Sequence, residues 1–318
     1  MSPGSRPRSA GTYLLPLLAL AMVIWGGTWP AGKIASTAAP PEVTIFWRFL
    51  FTAAGFVPIL LVMRRSAARS RGAGEAAGAR VPRFSTMPLR AWAYTVATAA
   101  GMIIYNQLFL YGVRRGLAGV GGIVTPTVGA LITGVVTMLL QRRRPGTREL
   151  VGLVLGLAGG LVILRIWRIS LEDLLRSGNL FYVAAAATWS TVTFCSQRAQ
   201  DSSHFATHTF AVYALAAVFA VPFALASGGL QPPQQSPSFW VLVLFLGVVA
   251  TDFATTTFFI SASRLGTGRT SSFLFIVPTA AILLSWLLLG ERPDAVTLVG
   301  GALSIAAVYL VNAPQRSP

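Results

Sequence analysis

The chain has 318 residues, 54% of them hydrophobic and 11% charged, with a formal charge of +16 and a mean hydropathy of +0.66. A soluble globular domain carries about 25% charged residues, so this composition excludes an ordinary water-soluble fold. The positive charge is not a nucleic-acid footprint either: the cations sit in short loops beside apolar runs, no stretch is polar enough for a separate binding module, and every cation but Lys33 is an arginine.

Ten apolar segments are predicted to cross the membrane, at roughly 12–32, 43–63, 91–113, 117–140, 150–166, 177–197, 205–227, 238–262, 270–290 and 295–313. Most have the ~20 residues that span a ~30 Å hydrocarbon core. All are too long and too continuously apolar for the ~10-residue alternating strands of a barrel. The start, Met1 to Gly11, carries Arg6 and Arg8 and leads into the first span without a persuasive cleavage site, so it reads as a retained helix and not a signal peptide. The basic loop 64–90, made of Ser, Ala, Gly and Arg with almost no apolar content, is expected to be flexible. Cys195 stands alone, and with His204 and His208 it makes no plausible metal or haem site.

Orientation follows from the arginines. With the N-terminus cytoplasmic, the inside segments hold 17 of the 25 cations and the outside segments seven, with Arg48 inside a span. Both termini are therefore expected in the cytoplasm, in agreement with an even number of spans.

The chain also repeats itself. Trp25 and Trp189 are 164 residues apart, as are Pro58 and Pro222. Later the offset falls to about 150, pairing Arg114 with Arg264, and Leu150-Val151-Gly152 matches Leu298-Val299-Gly300 at 148. Pro126-Thr127 and Pro278-Thr279 match at 152. The expected halves are 1–166 and 167–318. A duplicated unit of five spans must enter the membrane in opposite senses, giving an all-α membrane protein of two inverted five-helix repeats, an arrangement that binds substrate near the midplane.

Several residues then carry a resemblance. Trp25-Gly26-Gly27-Thr28 lies in span one, Arg48 in span two, and spans three and eight have basic ends. The segment Pro278 to Pro293 reads PTAAILLSWLLLGERP and is followed by Leu298-Val299-Gly300-Gly301. Over nearly its whole length the chain resembles the drug/metabolite transporter superfamily, in its ten-helix EamA-like branch. The resemblance implies a cytoplasmic-membrane carrier, often an exporter, with a central cavity, and leaves the substrate open. One departure stands out. The first half has Gln141-Arg142-Arg143-Arg144-Pro145 where the second has Leu289-Gly290-Glu291-Arg292-Pro293, which puts in doubt a functional pair of such turns.

Asp252 is the acid in the middle of an apolar span, ~20 Å along the helix from its outer end. A carboxylate there is costly and is expected to face a cavity, neutral or paired. It is a candidate for proton coupling or for contact with a cationic substrate; the competing reading is a structural acid bonded to a neighbouring Thr or Ser. Asp252, Thr255, Thr256 and Phe259 share one helical face, and the matching face of span three is Met102, Tyr105, Asn106 and Phe109. Such mixed faces suit a cavity wall or interhelical hydrogen bonding. Trp25 with Thr28, and Trp189 with Thr193, are further substrate-binding candidates, whereas Trp29 and Trp47 are expected to mark the headgroup level. Arg48 either holds an anionic group of the substrate or snorkels outward, with Glu42 as a partner. Pro126, Pro222 and Pro278 remove donors within spans. Gly26-Gly27, Gly121-Gly122, Gly159-Gly160 and the Gly156/Gly160 spacing permit close helix approach.

These features favour a secondary carrier of a small amphipathic, aromatic or amino-acid-like solute, working by alternating access, with no catalytic residues, metal or cofactor. The partners are the solute and the lipid bilayer, with no nucleic acid; monomer and homodimer both stay open. No P-loop is present to hydrolyse ATP. An intramembrane enzyme would need a catalytic cluster that the sequence lacks. A lipid flippase is kept open by Arg48 and the outer arginines. A channel is disfavoured because no ring of charge repeats in both halves.

Overall fold

The computed structural model describes residues 9–72, 84, 87–140, 146–164, 167, 178–231, 236–265, 270 and 273–312. These residues form ten helical spans. The first seven are α1 Ser9–Ala38, α2 Pro41–Gly72, α3 Leu89–Arg115, α4 Ala118–Leu140, α5 Thr147–Leu164, α6 Asn179–Gln200 and α7 Phe205–Ala226. The eighth, α8, is composite: α-helix over Pro237–Leu244, π-helix over Phe245–Phe253 and α-helix again over Ala254–Leu265. The ninth, α9, is a 3₁₀ turn at Phe273–Phe275 continuing into Ile276–Leu289, and α10 is Ala295–Asn312. Five stretches, Tyr13–Ala38, Pro41–Arg65, Leu89–Arg115, Phe205–Ala226 and Pro237–Ser261, are by themselves long and apolar enough to cross a bilayer; α4, α5, α9 and α10 offer shorter apolar stretches. A helix satisfies all its backbone groups internally, which is why apolar runs of this length fold this way in lipid.

The packing obeys a pseudo-two-fold exchange of the halves. α2 packs on α7, α4 on α9 and α5 on α10, each a helix against its own repeat partner. The other main contacts come in matched pairs: α3–α6 with α1–α8, α4–α6 with α1–α9, and α3–α7 with α2–α8. The exchange holds residue by residue. Gly156 meets Ala307 while Gly159 meets Ser304, and the 148-residue offset turns one contact into the other. Gly26 abuts Val277 and Ala281, and the corresponding Ser190 hydroxyl donates to the Gly129 carbonyl at 2.9 Å. Phe49 and Tyr213, 164 apart, face each other with ring centroids 5.8 Å apart.

Four local expectations change. α2 runs on to Gly72, so the 64–90 segment begins as helix, and its centre, 73–83, lies outside the described residues. Pro278 sits in the first turn of the α-helical part of α9, where no backbone donor is required; Pro126 and Pro222 lie inside their helices. Trp29 is no headgroup marker: it is 4% exposed, edge-on to Phe109 at 4.9 Å and to Tyr182 at 5.8 Å. At α5, Gly159 rather than Gly160 makes the tightest crossing, against Gly300 and Ser304 of α10. His208 joins three helices, its Nδ1 3.0 Å from the Thr95 hydroxyl and its Nε2 3.0 Å from the Ser196 hydroxyl.

Candidate functional site

Arg48, a half-buried residue of α2, turns towards α3. Its Nη1 donates to Asn106 Oδ1 on α3 at 2.8 Å, and the Asn106 amide is oriented by donating from Nδ2 to the Met102 carbonyl at 2.8 Å. Tyr105 and Tyr213 lie within electrostatic reach of the guanidinium. The Arg48 Nε is buried with no hydrogen-bond partner, and no carboxylate pairs with Arg48 among the described residues. Glu42, the expected partner, does not pair with Arg48: its Oε1 accepts from the Tyr111 hydroxyl at 2.8 Å.

Asp252 ends the π-helical stretch of α8. It is 2% exposed, and neither carboxyl oxygen has a hydrogen-bond partner. The structural reading, a bond to a neighbouring Thr or Ser, is therefore absent here. Its carboxyl occupies space that exists because residue 55 of α2 is glycine: a Cβ on Gly55 would fall on Asp252 Oδ2. Gly247 in turn abuts the Arg48 carbonyl, so α2 and α8 run side by side with Arg48 and Asp252 opposed to neighbouring stretches. From Arg48 to Gly55 is seven residues, or ~10 Å along the helix. Tyr213 lies within electrostatic reach of both Arg48 and Asp252.

The π-helix was invisible in the apolar pattern, yet it shapes the site. The cap N–H of Ala254 bonds the Thr251 and Val249 carbonyls. The Ala250 carbonyl accepts instead from the indole N–H of Trp25 at 2.8 Å, which clips α1 to α8. The Thr251 hydroxyl reaches back five residues to the Leu246 carbonyl at 2.8 Å. π-Bulges of this kind concentrate at functional sites. Phe259 is 39% exposed and packs, tilted, on Phe205 with ring centroids 4.2 Å apart. Thr256 keeps a buried hydroxyl with no partner, one turn beyond Asp252.

The remaining candidates surround this centre unevenly. Tyr105 packs on Trp189 at 4.9 Å, and Trp189 is 42% exposed. Trp25 packs on Phe258 at 5.4 Å. The Thr28 and Thr193 hydroxyls are spent on their own helices, donating to the Trp25 carbonyl at 2.6 Å and the Trp189 carbonyl at 2.8 Å. Tyr213 and Gly55 went unnoticed in the sequence. Tyr213 was findable as the repeat partner of Phe49, whereas nothing in the sequence marked Gly55.

Two halves of matched helices therefore enclose two ionisable groups without ion-pair partners among the described residues, one from each half. Residues 13–165 and 176–313 each match the EamA-like transporter family. The chain belongs to that family. It is a multi-pass membrane transporter and not an enzyme. It is 25% identical to a protein named an uncharacterized transporter of Archaeoglobus fulgidus, over 94% of this chain and 97% of that one. It is 27% identical to a probable terminal-alkyne amino-acid exporter of Streptantibioticus cattleyicolor, over 74% and 76% of the two chains. A solved crystal structure covering 94% of this chain and 97% of its own superposes with a TM-score of 0.57 at 20% identity, a likeness of fold alone.

Proposed function

We propose that this EamA transporter exports a small carboxylate-bearing solute, amino-acid-like or aromatic, by alternating access coupled to a proton. Its halves are 1–166 and 167–318, its termini are cytoplasmic, and it resides in the cytoplasmic membrane. The observation that carries the reading is Arg48, a half-buried residue whose Nε is buried without a partner and whose one hydrogen bond among the described residues goes to a neutral amide. A buried cation without a counter-ion is costly unless a ligand supplies one. A substrate carboxylate matches the planar fork of the guanidinium, and the Tyr105–Trp189 pair offers an aromatic wall for its apolar part. Asp252 is the proton carrier in this scheme: an isolated ionised carboxylate in so dry a place is disfavoured, so it holds a proton in this conformation. The relative named as an amino-acid exporter supports the same class of solute. The lipid-flippase alternative loses support, because Arg48 turns onto α3 and away from lipid.

The test is flux of a panel of amino acids, aromatic acids and their amides in proteoliposomes, with and without a pH gradient. Acids are expected to move and their amides not, with Arg48→Gln abolishing the difference. Equal transport of acids and amides, or no gradient-sensitive flux of any solute, would sink the proposal.

A further inference from the structure

At the end of the bundle away from the termini, four elements meet on one ion pair. Lys33, near the end of α1, donates from Nζ to Glu291 Oε1 at 2.5 Å and to the Gly116 carbonyl at 2.8 Å. The second carboxylate oxygen, Oε2, accepts from the Gly119 backbone N–H at 3.2 Å, at the start of α4. A carboxylate is well placed there, because the first turn of a helix presents unpaired N–H groups and a positive dipole end. Glu291 is aimed by Gly290, which closes α9 at φ +68°, in the left-handed region that favours glycine. The α3–α4 turn is held from the other side as well, since the Tyr182 hydroxyl of α6 donates to the Leu117 carbonyl at 2.9 Å. One turn below Lys33 on α1, Trp29 fills the space between Phe109 and Tyr182. The pair is partly sheltered, its side chains 26% and 9% exposed.

Two facts lift this above an ordinary surface ion pair. Lys33 is the one lysine in a chain whose other 24 cations are arginine. A compact ammonium with freely placed donors serves a carboxylate and a carbonyl at once, as the rigid guanidinium fork does less readily. Moreover, the pair breaks the repeat symmetry. The 164-residue offset carries Lys33 to Gln197, and the 148-residue offset carries Glu291 back to Arg143. In sequence, the repeat-equivalent positions Gln197 and Arg143 thus lack the charges for the same pair.

We infer that Lys33 and Glu291 are the latch of the outer gate: they tie α1 to the α9–α10 turn and the α3–α4 turn when the carrier is closed outward, and they separate when it opens outward. This rests on the alternating-access reading above and on cytoplasmic termini. It also accounts for the absence of Gly-Glu-Arg from the first half, because the opposite gate has to close differently if the two states are to be distinguishable by one signal.

The experiment is side-specific thiol labelling. A reporter cysteine, Thr28→Cys, is placed below the latch in a Cys195→Ala background, and oriented vesicles are treated with a membrane-impermeant maleimide from either side. Lys33→Met and Glu291→Gln are each expected to speed labelling from the outer side by about tenfold, and to slow it from the cytoplasmic side, as a shifted two-state equilibrium requires. If a neutral variant fails to reach the membrane, Glu291→Asp, one methylene short of Lys33 with charge retained, gives the same shift at smaller size. A rise from the cytoplasmic side instead, a parallel rise from both sides, or no change would overturn the latch. The readout needs no substrate, so a failed solute assignment and a failed latch give different results.

Discussion

Gly55→Ala probes the centre of the site with one methyl group. In most helix interiors this change is favourable by about 1 kcal/mol. Here the new Cβ would fall on Asp252 Oδ2 and lie 3.3 Å from Val248 Cγ2. The carboxyl is 2% exposed and cannot retreat into water, so overpacking of about 1–3 kcal/mol sets in and the net change is destabilising. In an Asp252→Ala background the obstruction is gone, and the helix-propensity gain should reappear. The two substitutions are therefore coupled by about 1–3 kcal/mol, well above the ~0.5 kcal/mol expected of independent sites. The assay is a double-mutant cycle on reversible unfolding in mixed micelles, with oriented helix content as a check on the folded state. Additive effects would show that Asp252 does not occupy the space opposite Gly55, and the account of the carboxyl as a dry, unpartnered group on the α2–α8 seam would fall.

Three further outcomes are expected. Asn106→Leu removes the acceptor for Arg48 Nη1, a charged hydrogen bond worth about 1.5–3 kcal/mol, so KM for a carboxylate solute should rise about tenfold or more while the purified protein stays monodisperse; an unchanged KM would detach Asn106 from the site. Trp25→Phe keeps an aromatic ring for Phe258 but strips the Ala250 carbonyl of its donor, costing about 1 kcal/mol in unfolding experiments. Asp252→Asn should leave any surviving transport insensitive to a pH gradient in proteoliposomes, and a normal gradient response would remove this residue from proton coupling.

The spans and their pairing were legible because both follow from constraints that act on the whole chain. Lipid forces long apolar runs, and duplication leaves matched landmarks such as Trp25 with Trp189 and Gly152 with Gly300. Arg48 and Asp252 were legible for the same reason, since a charge in an apolar run is conspicuous. What escaped depends on one residue more or less. The π-helix at Phe245–Phe253 adds a residue to a turn of an unbroken apolar segment, where hydrophobic period carries no phase information. Trp29 escaped because tryptophan near a helix end has two common uses, and only its neighbours Phe109 and Tyr182 decide between them. The Glu291 ion pair escaped because the repeat compares its turn only with the turn at Arg143, whereas its partner is Lys33 on another helix.

That asymmetry points to how the molecule divides its labour. On the alternating-access reading, a bundle whose halves exchange contacts, as Gly156–Ala307 and Gly159–Ser304 do, needs two arrangements of similar packing energy. Equal packing alone gives no preference and no response to a ligand. The preference has to come from residues that the repeat does not copy. Arg48 faces Val212 across the 164-residue offset and Asp252 faces Met102 across the 150-residue offset, so each charge has an apolar counterpart. Lys33 and Glu291 are likewise uncopied. The scaffold residues that match make the two states possible, and the few that do not match are the ones whose loss should change transport without unmaking the fold.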